Sequence, residues 1–172
     1  IKAVRRALKE LGLRTVTFGL RRISPGLINY LKKEIRPDFV FNLCETFHGR
    51  NHAEMHVASF YELLNLPYTG SSPLALGLAV NKMRCKKVLQ AANLPVAEGV
   101  TVPVGSKLIV SRRMQFPFIV KPVLEDGSFG LSKNSVVHDL FSAQKQVDLI
   151  HEGFNQSALV EEYIEGREVT VV

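Results

Sequence analysis

Apolar residues at Ile1, Val4, Leu8 and Leu11 recur at helical spacing and stop at Gly12, so the chain is expected to open inside a helix with no capping residue before it. Residues 15–18 (TVTF) predict a short strand. Ser24 and Pro25 cap and start a helix reaching about residue 34, and residues 38–42 (DFVFN) predict a buried strand. Residues 52–64 form an amphipathic helix carrying Met55, Val57, Ala58, Tyr61 and Leu64, and residues 66–70 (LPYTG) close the unit with a strand and a turn. Strand alternating with helix implies a parallel sheet. Such sheets bind ligands in the loops at their strand ends, which marks residues 42–50 as a candidate site.

The texture changes after Gly70. Ser72 and Pro73 open a short apolar helix to about residue 79. Asn81 caps a second helix with Lys82, Arg84, Lys86 and Lys87 on its polar side and Met83, Val88 and Leu89 within. Short β-like runs follow at 99–103, 107–110, 117–121, 131–137 and 158–163, with one helix at about 139–151. This is the pattern of a small α+β unit without internal repeats. Residues 167–172 (REVTVV) predict a strand that stops with no turn. An uncapped opening helix and an unfinished closing strand together lead us to expect a segment of something longer.

Composition narrows the class. At 172 residues, 46% hydrophobic and 22% charged, the chain is globular and long enough to bury a core. Apolar runs such as 74–80 fall far short of the ~20 residues that cross a bilayer, and the amphipathic N-terminus is not a signal peptide. Cys44 and Cys85 are too isolated for a disulfide framework or a zinc site, which points to a reducing cytoplasm. The net charge of +6 divides unevenly. Residues 1–50 hold 11 basic and 4 acidic residues, against 11 and 12 in the remainder. The excess is scattered over helix-like faces (Lys2, Arg5, Arg6, Lys9; Lys32, Lys33, Arg36) without interleaved aromatics. A solvated face explains it, with an RNA or DNA surface as the alternative.

The stretch 116–122 (FPFIVKP) followed by 125–130 (EDGSFG) carries the most chemistry. Lys121 ends an apolar strand, where an unpaired ammonium is costly, so it calls for an anion. Gly127 and Gly130 around Ser128 allow backbone N–H groups to wrap a phosphate. A tight hairpin turn with a surface lysine fits the same residues. At 159–168 (LVEEYIEGRE) an apolar strand runs into Glu161 and Glu162. Its edge suits a planar base, with Glu168 accepting from ribose hydroxyls; a charged hairpin is the alternative.

Together these segments resemble the ATP-grasp superfamily, and within it the D-alanine–D-alanine ligase family. The resemblance runs from Pro37 to Val172 through His48-Gly-Arg50, Leu66-Pro-Tyr-Thr-Gly70, Asn81-Lys82, Val120-Lys-Pro122, the glycine loop and residues 161–168, in the family's order. It implies a nucleotide clamped between two lobes, two Mg2+ ions on its phosphates, and an acyl phosphate that an amine opens to an amide. Lys82 and Lys121 resemble the lysines that hold the ATP phosphates. Gly127, Ser128 and Gly130 resemble the loop covering them, Glu161, Glu162, Tyr163 and Ile164 the adenine-reading strand, and Glu168 the ribose ligand. Ser128, His48 and Arg50 resemble residues on the amino-acid side of the reaction. For His48 a histidine bonded within its loop is the alternative, and for Arg50 a surface salt bridge.

The resemblance implies residues 1–70 as an N-terminal α/β domain lacking its first strand, 71–164 as the small ATP-grasp lobe, and 165–172 as the start of the second lobe. The fold class expected is α/β, a partial parallel-sheet domain followed by a small α+β lobe. Metal ligands are expected beyond Val172 and none within the chain, so the isolated chain is expected to have no ligase activity. Small-molecule substrates, no nucleic acid or membrane partner, and a homodimer are what the family implies. Three departures bear on substrate choice more than on ATP. Gly127 stands where the family loop has its first serine, Ala53 stands where it has a glutamate, with Glu54 adjacent, and Asn81 replaces an aspartate. Other readings are a ligase for another amino acid or peptide, and a non-catalytic nucleotide-binding module.

Overall fold

The computed structural model describes residues 1–169, and the chain divides into two compact units, Ile1–Gly77 and Leu78–Val172. The first begins with α1 (Lys2–Glu10), which ends as its sequence dictates. Gly12 takes φ +77°, and the amides of Gly12 and Leu13 return to the carbonyls of Lys9 and Leu8, a Schellman closure. α2 (Pro25–Asn29) starts on Ser24, whose hydroxyl accepts from the Leu27 amide, and runs on as a π-helical stretch, Tyr30–Ile35. A 3-10 turn, Asn51–Ala53, leads into α3 (Glu54–Leu63), whose Val57, Phe60 and Tyr61 pack with Leu31 and Val40 as the core of this unit.

The strands expected here at 15–18, 38–42 and 66–70 do not develop. Residues 15–18 have no ladder partner among the described residues. Between the other two segments only one parallel bridge forms, Val40 to Tyr68, closed by the Val40 amide on the Pro67 carbonyl and the Thr69 amide on the Val40 carbonyl. One step further, the Asn42 amide turns to the Thr69 hydroxyl at 2.9 Å, and Gly70 at φ +114° diverts the chain. A side chain has taken the place of the next ladder rung. The expected parallel arrangement is thus present as a single rung.

The second unit is better ordered around a sheet. The segment joining the units holds α4 (Pro73–Ala79). Asn81 then caps α5 (Lys82–Ala91) by accepting from the Arg84 amide at 3.0 Å. Four strands follow: β1 (Gly99–Val102), β2 (Phe118–Pro122), β3 (Val136–Val137) and β4 (Ala158–Glu162), in the antiparallel order β1-β4-β2-β3. α6 (Leu140–Phe154) begins at Asp139, whose carboxylate accepts from the Ser142 amide and hydroxyl, holding the Asp139 carboxyl below its ordinary range. Its Ala143, Val147 and Ile150, one stripe at helical spacing, bury against Val102, Phe118, Val120, Ala158 and Val160.

Two expected strands are replaced by side-chain bonding. At 107–110 the Leu108 amide is taken by the Gln144 side chain at 2.8 Å, so no ladder forms. At 131–137 a capping box between Ser132 and Ser135 winds Lys133–Ser135 into a 3-10 turn and leaves only β3. The strand expected at 167–172 has no ladder at 167–169, and its residues 170–172 lie outside the described ones. No helix among the described residues is long and apolar enough to cross a membrane.

Phe118 is 1% exposed and joins the sheet to α6. Phe118→Ala is therefore expected to destabilise the second unit by about 3–5 kcal/mol, read as a lower urea midpoint; an unmoved midpoint would contradict this core assignment.

Candidate functional site

Alternation along β2 sends Phe118 and Val120 into the core and puts Ile119 and Lys121 on the opposite face. Lys121 pairs in register with Leu159 and Ile119 with Glu161, so Lys121 and Glu161 are diagonal neighbours on that face. Their side chains meet as an ion pair, Lys121 Nζ on Glu161 Oε1. The other oxygen, Oε2, accepts from Lys86 Nζ at 2.6 Å. All three side chains are withdrawn from solvent, at 13% exposure for Lys86, 22% for Lys121 and 10% for Glu161.

Lys82 lies one helical turn before Lys86 on α5, on the same side of the helix. Its amide donates to the Val123 carbonyl, and its Nζ donates to the carbonyls of Pro122, at 3.0 Å, and Glu125. These bonds tie the start of α5 to the segment leaving β2. Burial, and then the positive charge of Lys121, push the Lys82 ammonium below its ordinary value of 10.5, with Asp126, Glu125 and Glu161 opposing the shift. Of the two readings open for Lys121 in the sequence, a surface lysine at a hairpin does not describe this largely buried, ion-paired group.

The loop after β2 is built from left-handed residues: Gly127 at φ +53°, Ser128 at +62° and Gly130 at +80°. The Phe129 amide donates to Asp126 and the Leu131 amide to Ser128, forming two consecutive turns. Gly130 is required twice over, since a Cβ there would stand 2.8 Å from both Phe154 and Pro122. Phe129 extends from the loop and meets Phe154 edge-on, with ring centroids 5.7 Å apart. At the end of β4 and just past it, the amides of Glu162 and Tyr163 donate to the carbonyls of Glu98 and Pro117, and the Glu162 carboxylate accepts from the Gln115 amide at 2.7 Å. Tyr163, Ile164 and Glu168 are exposed.

His48 and Arg50 belong to the first unit. They sit on a hairpin turn whose ends, Phe47 and Arg50, exchange both backbone bonds at 3.2 Å; positive φ at His48 and Gly49 is the signature of a type I′ turn. Both side chains are exposed, with the His48 ring 4.3 Å from that of Phe47. Ala53 is buried. The first unit also has a groove of about 460 Å3 between α1 and the segments 15–20 and 40–46, and it contains neither His48 nor Arg50.

Residues 88–172 match the family model described as D-ala D-ala ligase C-terminus. The D-alanine–D-alanine ligase of Aquifex aeolicus is 31% identical over 99% of this chain and 55% of its own length. The chain belongs to the D-alanine–D-alanine ligase family. Protein y4sG of Sinorhizobium fredii, described as uncharacterized, is 36% identical over 96% of the chain and 48% of its own length. The D-alanine–D-alanine ligase from Bacillus anthracis has the same fold. One structure of it matches at TM-score 0.74 with 21% identity, covering 96% of this chain and 51% of that one. A second, complexed with ATP, matches at 0.62 with 22% identity, covering 81% and 45%. The chain spans about half the length of the curated relatives it matches.

In this ligase-family chain the structure brings Lys82, Lys121 and Glu161 together beside the glycine loop, and it adds Lys86. The sequence places Lys86 on the polar side of α5, and its four-residue spacing from Lys82 puts the two on one helix face without indicating the bond to Glu161. Gly130→Ala is expected to lower stability by about 1–3 kcal/mol, because neither its positive φ nor the space suits a side chain. Thermal unfolding checks this, and an unchanged transition would show that the loop is not held against Pro122 and Phe154.

Proposed function

We propose that the protein carrying this chain is an ATP-dependent carboxylate–amine ligase of the D-alanine–D-alanine ligase type, which activates a carboxylate as an acyl phosphate and opens it with an amine. The observation that carries this reading is the gathering of three lysines beside the glycine loop, Lys86 and Lys121 on the buried Glu161 carboxylate and Lys82 on the carbonyls of Pro122 and Glu125. Lys82 and Lys121 already disfavour each other, and a polyphosphate relieves that conflict. Phosphoryl transfer depends on charge neutralisation, positioning and exclusion of water, which is what such a cluster and loop supply.

In this reading Lys82 and Lys121 hold phosphates, Gly127, Ser128 and Gly130 lay backbone N–H groups over them, and Ser128 orients the amino-acid side. Residues 161–164 read the adenine. With the Glu162 and Tyr163 amides already engaged, base reading falls to the remaining backbone groups of that segment. Glu168 takes the ribose, and His48 and Arg50 receive the carboxylate of the first amino acid. Residues 1–70 serve as the domain before the ATP-grasp, 71–164 as its small lobe, and 165 onward as the start of the second. The reaction belongs in the cytoplasm, where ATP is supplied. Magnesium is typical of such chemistry. Among the described residues no group of three His, Cys, Asp or Glu side chains is placed to hold a metal, so no step is assigned to a metal held here.

Phosphate release from ATP by the intact protein, screened over amino-acid pairs, tests the activity. Stimulation by D-alanine is expected, and its failure removes the D-alanine assignment. Lys121→Ala is expected to weaken ATP binding by about tenfold or more, the loss of one charge-assisted contact of roughly 1.5–3 kcal/mol; unchanged affinity counts against the phosphate role.

The Lys82 shift gives a pH signature. Because its folded value lies below 10.5, there is a window just under that value in which the free site has lost the proton while an unperturbed lysine keeps it. A bound phosphate favours the ammonium, so ADP binding should take up more protons in that window than at neutral pH. Calorimetry in buffers of different ionisation enthalpy measures this; equal proton uptake at both pH values would contradict it.

A further inference from the structure

We propose that Lys86 is a positioning residue for the nucleotide, acting through Glu161. It holds that carboxylate in place and neutralised when Lys121 leaves it for phosphate. This rests on the ATP reading above. In the structure Glu161 divides its two oxygens between two ammonium groups, Oε1 to Lys121 and Oε2 to Lys86. The carboxylate thereby fills, for Lys121, the role of the anion that a phosphate would take.

The two lysines are not equivalent. Lys121 is the more exposed of the pair, and its charge acts on the Lys82 ammonium, so it is the one drawn toward a polyphosphate arriving between them. Withdrawing Lys121 strands a carboxylate whose side chain is 10% exposed, and an unpaired buried charge costs several kcal/mol. Lys86 removes that penalty. It is carried on α5, whose first residue is fixed to the carbonyls of Val123, Pro122 and Glu125, so its reach to Glu161 does not depend on Lys121. On the neighbouring strand the residue opposite Glu161 is Gly99. A Cβ there would stand 2.8 Å from that of Glu161, so the glycine leaves the carboxylate room to sit between its lysines.

The test is calorimetric titration of the intact protein with ADP and with adenosine, for wild type, Lys86→Met and Lys86→Arg, with thermal unfolding to establish that each variant is folded. Only ADP draws Lys121 away. Lys86→Met is therefore expected to weaken ADP by about tenfold or more while changing adenosine by less than about twofold, and Lys86→Arg to recover most of the ADP affinity. Equal losses for ADP and adenosine would assign Lys86 a merely structural role and overturn the proposal. So would unaltered ADP binding in Lys86→Met alongside a wild type that binds; that result leaves the ATP reading intact. A wild type that binds no ADP overturns both. A second arm needs no adenosine and relieves the buried charge. In a Glu161→Gln background, adding Lys86→Met should weaken ADP no further, since no carboxylate remains to be neutralised, and a further loss overturns the proposal.

Discussion

One carboxylate organises the chemistry of the second unit. Glu161 sits near the end of β4, takes one lysine from the adjacent strand β2 and another from α5, and thereby joins three elements through a single buried group. A lone carboxylate in that position would be untenable, and so would either lysine without it. The antiparallel register makes the arrangement possible, because the diagonal between Lys121 and Glu161 exists only when Ile119 stands opposite Glu161. A slip of one residue by either strand would turn its charge toward the apolar core beneath α6 and break the pair.

The same register separates the two jobs of the sheet. One face is occupied by Phe118, Val120, Ala158 and Val160 against α6 and supplies cohesion; the other carries ionised groups. α5 has no buried residue of its own. What anchors its start is polar: the backbone and side chain of Lys82 on the carbonyls that follow β2. Position along the helix thus fixes the lysines, and a cluster of like charges is tolerated because each ammonium has a defined acceptor. That is a site with positive charge in reserve, which is the electrostatic condition for holding a polyphosphate.

Helices and their caps were legible in the sequence because their causes are local. Ser24 and Asn81 cap where expected, and Gly12 stops α1 by its left-handed backbone. Strands were legible only where a partner exists. The run at 158–163 became β4 because β1 and β2 flank it, whereas 15–18 and 107–110, also read as strand-like from the sequence, did not become strands. At 107–110 the decisive competitor was the Gln144 side chain, thirty-odd residues away and invisible to any local pattern. The site followed the same rule. Lys82, Lys121 and the glycine loop stood out as motifs, but the bond from Lys86 to Glu161 spans β-register and helix packing at once, and no spacing along the chain announces it.

The contact between Phe129 and Phe154 has an optical consequence. The sequence contains no tryptophan, and Phe129 stands 66% exposed at the tip of the glycine loop with its ring edge-on to α6. An indole placed there would be the sole tryptophan of this stretch of chain, half in water and half against an aromatic neighbour. Its emission would therefore shift as the loop leaves Phe154, giving a direct signal of loop movement in a segment that otherwise has only phenylalanine and tyrosine to report it.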